Sequence, residues 1–195
     1  MMDRKTISIM ATLLFFITFP GIIYAGPNSI ANCNLDLDIQ TYSYVADDPT
    51  MDVEDSLHAI VNSMVYVAVV AHNVNNLDTY QVELNFDPEK LEFIAAYEED
   101  PVVMGISNLL KVNGGSTLGF YAAKREPGLI NIANTLIGDF TSQAPEGSGI
   151  IAIIGFRVLK PGVCRIKLSN VHFINSNTIE DHIVNTKNGI IYAHE

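Results

Sequence analysis

The sequence predicts an all-β protein, an antiparallel sandwich or jelly roll of around nine strands with one short inserted helix. Residues 80–86 alternate polar and apolar side chains, which is the period of a strand with one buried face. Turn residues recur about every 8–15 positions along the chain. No regular alternation of strand and helix patterns is present, so a parallel α/β sheet is not expected.

The first half of the chain supplies four predicted strands. Residues 35–39 alternate, and residues 64–71 (MVYVAVVA) form a nearly continuous apolar, β-branched run. Such a run is typical of a central strand whose sheet is covered on both sides. The strand at 80–86 ends at an Asp-Pro turn, and the strand at 91–95 follows it.

The second half supplies five more predicted strands. Arg-Glu-Pro-Gly at residues 125–128 has the composition of a hairpin turn, and later Pro-Gly and Asn-Gly pairs separate the remaining apolar runs. The predicted strands are residues 117–122, 129–134, 150–159, 163–168 and 190–193.

One stretch has helical spacing. Leu57, Ile60, Val61 and Met64 recur at i, i+3, i+4 and i+7, behind an acidic start that suits the N-terminus of a helix. This pattern predicts a short helix over residues 51–62, inserted between the first two long strands.

The chain begins like an exported protein. Arg4 and Lys5 precede an uncharged apolar run at residues 7–23, and Ala25 supplies a small residue for cleavage. These features predict a signal peptide over residues 1–25.

The alternative for the same run is a membrane-spanning helix, which needs about 20 apolar residues. Pro20-Gly21 interrupts the run near its end, which favours the signal peptide. Residues 26–195 are then expected to form a single domain without a transmembrane segment, secreted or periplasmic/extracellular after cleavage.

The chain is acidic. It holds 22 Asp and Glu against 11 Lys and Arg, a formal charge of −11. Such a surface repels phosphate backbones, so nucleic acid is not expected as a partner. The acidic cluster at residues 47–55 lacks the glycine that a calcium-binding loop needs at its sixth position, so no calcium loop is predicted there.

The two cysteines, Cys33 and Cys164, are both in phase with core-facing residues of predicted strands. An oxidising compartment would allow a disulfide between them, which would tie the first strand to a late one. The alternative, two buried thiols, remains open at this point.

The sequence contains no recognisable catalytic motif. It lacks a GxSxG elbow and a phosphate-binding loop, and no spacing singles out a pair of carboxylates. No histidine lies in an HExxH or HxH motif or at ligand spacing from a cysteine. We therefore predict a protein that is not an enzyme and has no cofactor or metal site. The histidines are His58, His72, His172, His182 and His194.

Several ordered segments resemble cohesin domains. VYVAVVAHNVNNLDTYQVELNFDPEKLEFIAA at residues 65–96 combines a β-branched strand, "NV-x-NL", an aromatic-Asp-Pro strand end and "KLEF". GSGIIAIIGFRVLKPGVCRIKLSN (147–170), preceded by GLINIANTL (128–136), is similar to the later half of that family, and NGIIYA (188–193) to its last strand. The resemblance covers residues 35–195 except the acidic insert near 47–62.

The resemblance implies a nine-stranded jelly-roll sandwich that binds dockerin modules, with calcium carried by the dockerin. It implies a secreted, non-catalytic module associated with extracellular polysaccharide degradation. The alternative is a carbohydrate-binding or adhesion module that recognises a polysaccharide directly.

The resemblance also places the partner on one flat sheet that includes the strand at residues 79–85. Pleating sends alternate side chains of a strand to the outer face, where they form one patch with their neighbours on adjacent strands. The predicted partner-binding residues are Thr79, Gln81, Glu83, Asn131, Arg165 and Lys167.

Overall fold

The computed structural model describes residues 28, 30–39, 53–99, 107–138, 143–177, 180–183 and 185–195. The predicted signal peptide and its cleavage point at Ala25 lie outside the described residues, as does most of the acidic insert. No helix within the described ranges is long and apolar enough to cross a membrane.

The described residues form thirteen strands and one 3-10 turn, at Leu109–Lys111. The strands are β1 (Asn32–Asp36), β2 (Ser56–Ile60), β3 (Met64–Val74), β4 (Leu77–Phe86), β5 (Leu91–Tyr97), β6 (Ser116–Thr117), β7 (Tyr121–Glu126), β8 (Leu129–Ile137), β9 (Gly147–Val158), β10 (Gly162–Asn175), β11 (Glu180–His182), β12 (Thr186–Lys187) and β13 (Gly189–His194).

The strands build two sheets that pack face to face, which confirms the predicted all-β sandwich. The first sheet has five strands in the order β12-β1-β3-β9-β5, and the second has the order β2-β13-β10-β4-β8-β6. In the second sheet β7 also pairs with β8, and β11 with β10. Most pairs are antiparallel; β1–β12 and β13–β2 are parallel.

The core lies between the two sheets. It takes Val67 and Val69 of β3 from one side and Val82 and Leu84 of β4 from the other, all fully buried. Tyr80 reaches across the core, where its hydroxyl donates a hydrogen bond to the carbonyl oxygen of Ile151 at 2.6 Å. Burial raises the pKa of Tyr80 well above its usual value, so this hydroxyl remains a donor.

The strand count differs from the prediction because several short strands extend the sheets at their edges. β6, β11 and β12 are two or three residues long, too short for an alternation pattern to reveal, and β2 has helical rather than alternating apolar spacing. Each is defined by its hydrogen-bonded partner in space, which the local sequence does not specify.

The predicted helix at residues 51–62 is wrong. In the described part of this stretch, residues 56–60 form β2, which pairs in parallel with β13. The apolar spacing favoured a helix, but Ile60 is 63% exposed and only Ala59 of β2 is buried. Pairing with β13 satisfies the backbone of this segment, for example through the bond from Ile190 N to Asp55 O at 2.8 Å, so tertiary contacts override local spacing.

The predicted disulfide is not formed in the structure, where Cys33 and Cys164 are both free and buried. Both side chains face the core, as their phase predicts, but Cys33 belongs to β1 in the five-stranded sheet and Cys164 to β10 in the other sheet. Burial raises the pKa of each thiol, so both are held as neutral thiols.

Candidate functional site

The candidate site is the outer face of the sheet that contains β4, named here the polar face. Along β4 the even-numbered residues Tyr80, Val82 and Leu84 are buried in the core, whereas the odd-numbered residues turn outward. Gln81 is exposed and Glu83 is half-buried. The polar face consists of Thr79, Gln81, Glu83 and Asn85 on β4, Asn131 and Thr135 on β8, and Arg165, Lys167, Ser169 and Asn170 on β10.

Strand register brings the predicted residues of β4 and β8 into direct contact. Glu83 lies opposite Asn131 on β8 and opposite Ser169 on β10. Thr79 lies opposite Thr135, and their hydroxyl oxygens are 2.6 Å apart. The outward residues of three neighbouring strands therefore form continuous rows across the sheet.

Glu83 is the centre of one such row. Its carboxylate accepts a hydrogen bond from Asn131 Nδ2 at 3.5 Å and another from Asn170 Nδ2 at 2.5 Å. Asn170 reaches Glu83 from a β-bulge in β10 between Ser169 and His172, and its φ of 45° is in the left-handed region that asparagine tolerates. The short bond from Asn170 holds the carboxylate on one side, and the longer contact from Asn131 flanks it on the other.

Asn131 departs from its prediction. It faces the same side of the sheet as Glu83, but it is only 4% exposed, although the sequence predicts an open surface position. Its strand is flanked on both sides, by Glu83 of β4 and by Ala123 of β7. The side chain of Asn131 therefore contacts its neighbours on the sheet and exposes little area to a partner.

Arg165 and Lys167 are exposed on β10, away from Glu83. In the strand register, Arg165 lies opposite Ile190 of β13, and Lys167 lies opposite Asn85 of β4. Together with Asn188, Gly189 and Ile190 the two cations line a cleft of about 240 Å³, named here the basic cleft. The structure thus separates the predicted residues into a neutral and acidic group on β4–β8 and a basic group on β10–β13.

Several polar residues of this surface are missed by sequence reasoning. Thr135 is detectable in principle, since it is in phase with Asn131 along β8. Asn170 is not, because the bulge breaks the alternation of β10 before it. Asn85 donates to Ser169 Oγ at 2.6 Å, a cross-strand bond that only the register reveals.

A second titratable group lies where β10 continues past the bulge. His172 is opposite Gln81 on one side and His182 of β11 on the other. Its Nδ1 is 2.5 Å from Glu180 Oε1, and its ring meets that of His182 edge to face with centroids 5.0 Å apart. Even so, no group of three or more potential metal ligands occurs among the residues that the structure describes.

β2, at the edge of this sheet, and its neighbour β13 carry aromatic rings on the same outer surface. His58 Nδ1 and His194 Nε2 are 2.8 Å apart, and the two ring planes differ by 4° with centroids 5.1 Å apart. The centroid separation equals the N···N distance plus roughly one ring radius on each side, so the imidazoles lie edge to edge in one plane. Tyr192 is 5.2 Å from the His58 ring and inclined to it by 24°.

Comparison with known proteins identifies the fold. No protein-family profile matches the chain, and no curated protein sequence is significantly similar to it. Solved structures are similar over most of their length. One is the sixth cohesin of scaffoldin B from Acetivibrio cellulolyticus in complex with a Cel5 dockerin, 17% identical, covering 84% of this chain and 99% of that chain with a TM-score of 0.56.

Two further structures widen the comparison. A cohesin–dockerin complex of type I from Clostridium thermocellum, with the OlpA cohesin, is 13% identical and covers 84% of this chain and 99% of that chain at a TM-score of 0.58. A non-cellulosomal cohesin from the archaeon Archaeoglobus fulgidus is 14% identical. The match covers 85% of this chain and 91% of that chain, at a TM-score of 0.56. This chain therefore has a cohesin-like jelly-roll fold.

Proposed function

We propose that this chain is a non-catalytic binding module that docks a dockerin-bearing protein on its polar face. The observation that carries the proposal is the row of outward polar side chains centred on Glu83, held in place on three neighbouring strands. A rigid sheet that presents hydrogen-bonding groups at fixed spacing suits recognition of a folded partner. Solved cohesins of the same fold are in complex with dockerins, which supports this choice of partner.

The hydrogen bonds of the polar face divide its residues into two roles. Thr79, Glu83 and Asn131 bond to other side chains of the face and so stiffen it. Gln81, Arg165 and Lys167 have no hydrogen bond or ion pair from their side chains within the described part of the chain. We assign partner contacts chiefly to these three residues, since their polar atoms are free to meet new groups without breaking old bonds.

The proposal includes export. The basic residues and apolar run at the start of the chain support a signal peptide over residues 1–25 with cleavage near Ala25, and a single domain over residues 26–195. N-terminal sequencing of protein recovered outside the cytoplasm is expected to begin at Gly26 or within a few residues. Protein that still begins at Met1 and remains in the cytoplasm contradicts this part of the proposal.

The docking function is tested by calorimetry with calcium-loaded dockerin modules encoded in the same genome. We expect one or more of them to bind, and chelation of calcium to abolish binding, because the ion is carried by the dockerin and holds its fold. A panel in which no dockerin binds contradicts the proposal. Such dockerins on polysaccharide-degrading enzymes would support the link to extracellular polysaccharide degradation.

A second candidate function, direct binding of polysaccharide, is favoured by the ring cluster of His58, Tyr192 and His194. Tyr192 is 37% exposed, and its ring lies against the ring of His58, which is coplanar with that of His194. Flat aromatic surfaces with polar edges suit sugar rings. Retention of the protein on insoluble polysaccharide, lost in Tyr192→Ala but unchanged in Gln81→Ala, would favour this function over dockerin binding.

A further inference from the structure

The basic cleft is unusual in so acidic a chain. Arg165 and Lys167 are alternate residues of β10, so both side chains leave the same face of the sheet. The remainder of the cleft is formed by Asn188, Gly189 and Ile190, where β13 begins. Asn188 is held in place because its Oδ1 accepts a hydrogen bond from Leu168 N at 2.9 Å. Both cations therefore stand on a stiff frame with a concave space between the strands.

Acidic side chains on or beside β2 and β4 bond to other groups. Glu83 is bound by the amides of Asn131 and Asn170. Asp55 lies 3.7 Å from Lys187 Nζ, and Asp87 Oδ1 accepts from Glu89 N. None of the ion pairs found within the described ranges includes either cation of the cleft, although the chain has twice as many acidic as basic side chains. Two unpaired cations side by side repel each other, and an anion between them relieves that repulsion.

We propose that the basic cleft receives the carboxylate of an acidic side chain on the partner protein. This inference rests on the proposed docking function, because the cleft opens on the polar face. A guanidinium presents a planar fork of donors that fits a carboxylate, and the lysine ammonium adds a second charge. Both side chains start from a paired strand, so the backbone loses little freedom when the partner binds.

The docking partner is thereby specified further. It is a protein whose contact surface carries an exposed aspartate or glutamate opposite β10 and β13, beside groups that meet Gln81 on β4. Since the rest of the chain is acidic, a partner with a generally acidic surface would be repelled, and the single acid must lie close to the cleft.

The test uses the full mature chain and a dockerin that binds it. We expect the double variant Arg165→Ala, Lys167→Ala to bind about 10- to 100-fold more weakly in calorimetry, because loss of a close interfacial charge pair is costly. Binding by the wild type is expected to weaken as salt is raised, and binding by the variant to depend less on salt. The control is Arg157→Ala, which removes an exposed arginine of β9 in the other sheet and is expected to bind like the wild type.

Outcomes for the cleft and for the docking function are separable. If the dockerin binds the double variant as tightly as the wild type, the cleft proposal fails and the docking function stands. If no dockerin binds, the docking function fails, and the cleft is then tested alone by NMR titration with a blocked tri-glutamate peptide. Shifts at Arg165, Lys167 and Asn188 in the wild type, with no shift at Asn188 in the double variant, support the cleft; no shifts in the wild type overturn it.

A third arm separates protein from polysaccharide. Polygalacturonate carries the same carboxylates on sugar rings. Shifts at the cleft residues with polygalacturonate but not with the glutamate peptide would overturn the assignment of the cleft to a protein partner. Shifts with the peptide and not with the polysaccharide agree with it.

Discussion

The outer faces of the two sheets differ in chemistry although both belong to twisted strands of the same sandwich. On the five-stranded sheet the outer face carries Ala68, Val70, Ile150 and Ile153, which are buried. We name these four residues the closed face. The half-buried side chains of Ile39, Val53, Tyr66 and Tyr97 pack against it. On the other sheet the polar face leaves Gln81, Arg165 and Lys167 exposed.

This difference supports the choice of the polar face as the side that binds a partner. The closed face is a second, small hydrophobic core, and its apolar area is already removed from water. The polar face is satisfied by hydrogen bonds across strands and keeps several groups free. We therefore expect substitutions on the closed face to change stability, and those on the polar face to change binding.

The largest expected effect is on the closed face. Ile153 is 1% exposed there, and Ile153→Ala is expected to lower the free energy of unfolding by about 2–5 kcal/mol through lost burial and a residual cavity. Urea unfolding monitored by circular dichroism measures the change. The matched substitution on the other sheet, Gln81→Ala, is expected to stay within about 0.5 kcal/mol of the wild type. Equal costs for the two variants would remove the distinction between the faces.

The second prediction concerns pH. Asp36 on β1 is fully buried, and its pKa is raised from 3.8 to about 7. Burial is the main cause of the rise, and the charge of Glu54 adds to it. Hydrogen bonds from the N–H groups of Asp38 and Glu54 oppose the rise. Between those two values the folded chain holds a proton that the unfolded chain has released. Stability is therefore expected to fall as pH rises from about 4 to about 7, and this contribution to level off above that range.

Asp36→Asn tests this sign. The amide oxygen can still accept the hydrogen bonds that Asp36 Oδ1 accepts from Asp38 N and Glu54 N, but the side chain cannot ionise. We expect the decline in stability between pH 4 and pH 7 to shrink in this variant, as measured by urea unfolding across the pH range. A profile that is the same in wild type and Asp36→Asn would show that Asp36 ionises normally in the fold.

A smaller effect is expected at Asn131, because it belongs to the polar face yet is buried. Asn131→Ala removes the amide that donates to Glu83 Oε1, and is expected to cost about 1 kcal/mol of stability. Asn131→Asp places a second carboxylate opposite Glu83 and is expected to cost more at neutral pH than at acidic pH. Thermal unfolding at both pH values measures this. If Asn131→Ala leaves the stability unchanged, Asn131 does not stiffen the polar face.

The smallest effect on stability, and a clear one on binding, is expected at Gln81. Its side chain is exposed and makes no hydrogen bond within the described part of the chain. Gln81→Ala is expected to unfold like the wild type but to bind the dockerin more weakly in calorimetry. Glu126→Ala, at the exposed end of β7, is the control for an exposed polar residue outside the row of Glu83. If Gln81→Ala and Glu126→Ala both bind like the wild type, Gln81 is solvated surface only.

Sequence reasoning succeeded where local pattern and burial coincide. The alternation of residues 80–86 predicted which side of β4 is buried, and the apolar run at 64–71 predicted a strand covered on both sides, as Val69 and Val70 of β3 are. The sequence-based predictions were wrong where pairing between distant strands decided the secondary structure or the burial of a residue. Residues 56–60 are a strand because β13 is beside them, and Asn131 is buried because β4 and β7 flank its strand.

The sequence by itself determined the all-β class, the long strands and the inward or outward direction of most side chains, because these follow from the two-residue period of a strand. Only the tertiary structure decided which outward residues meet. The bond from Asn170 to Glu83 depends on a bulge, and the basic cleft depends on the register of β10 against β13. Register is a relation between distant segments, and the alternation within one segment does not contain it.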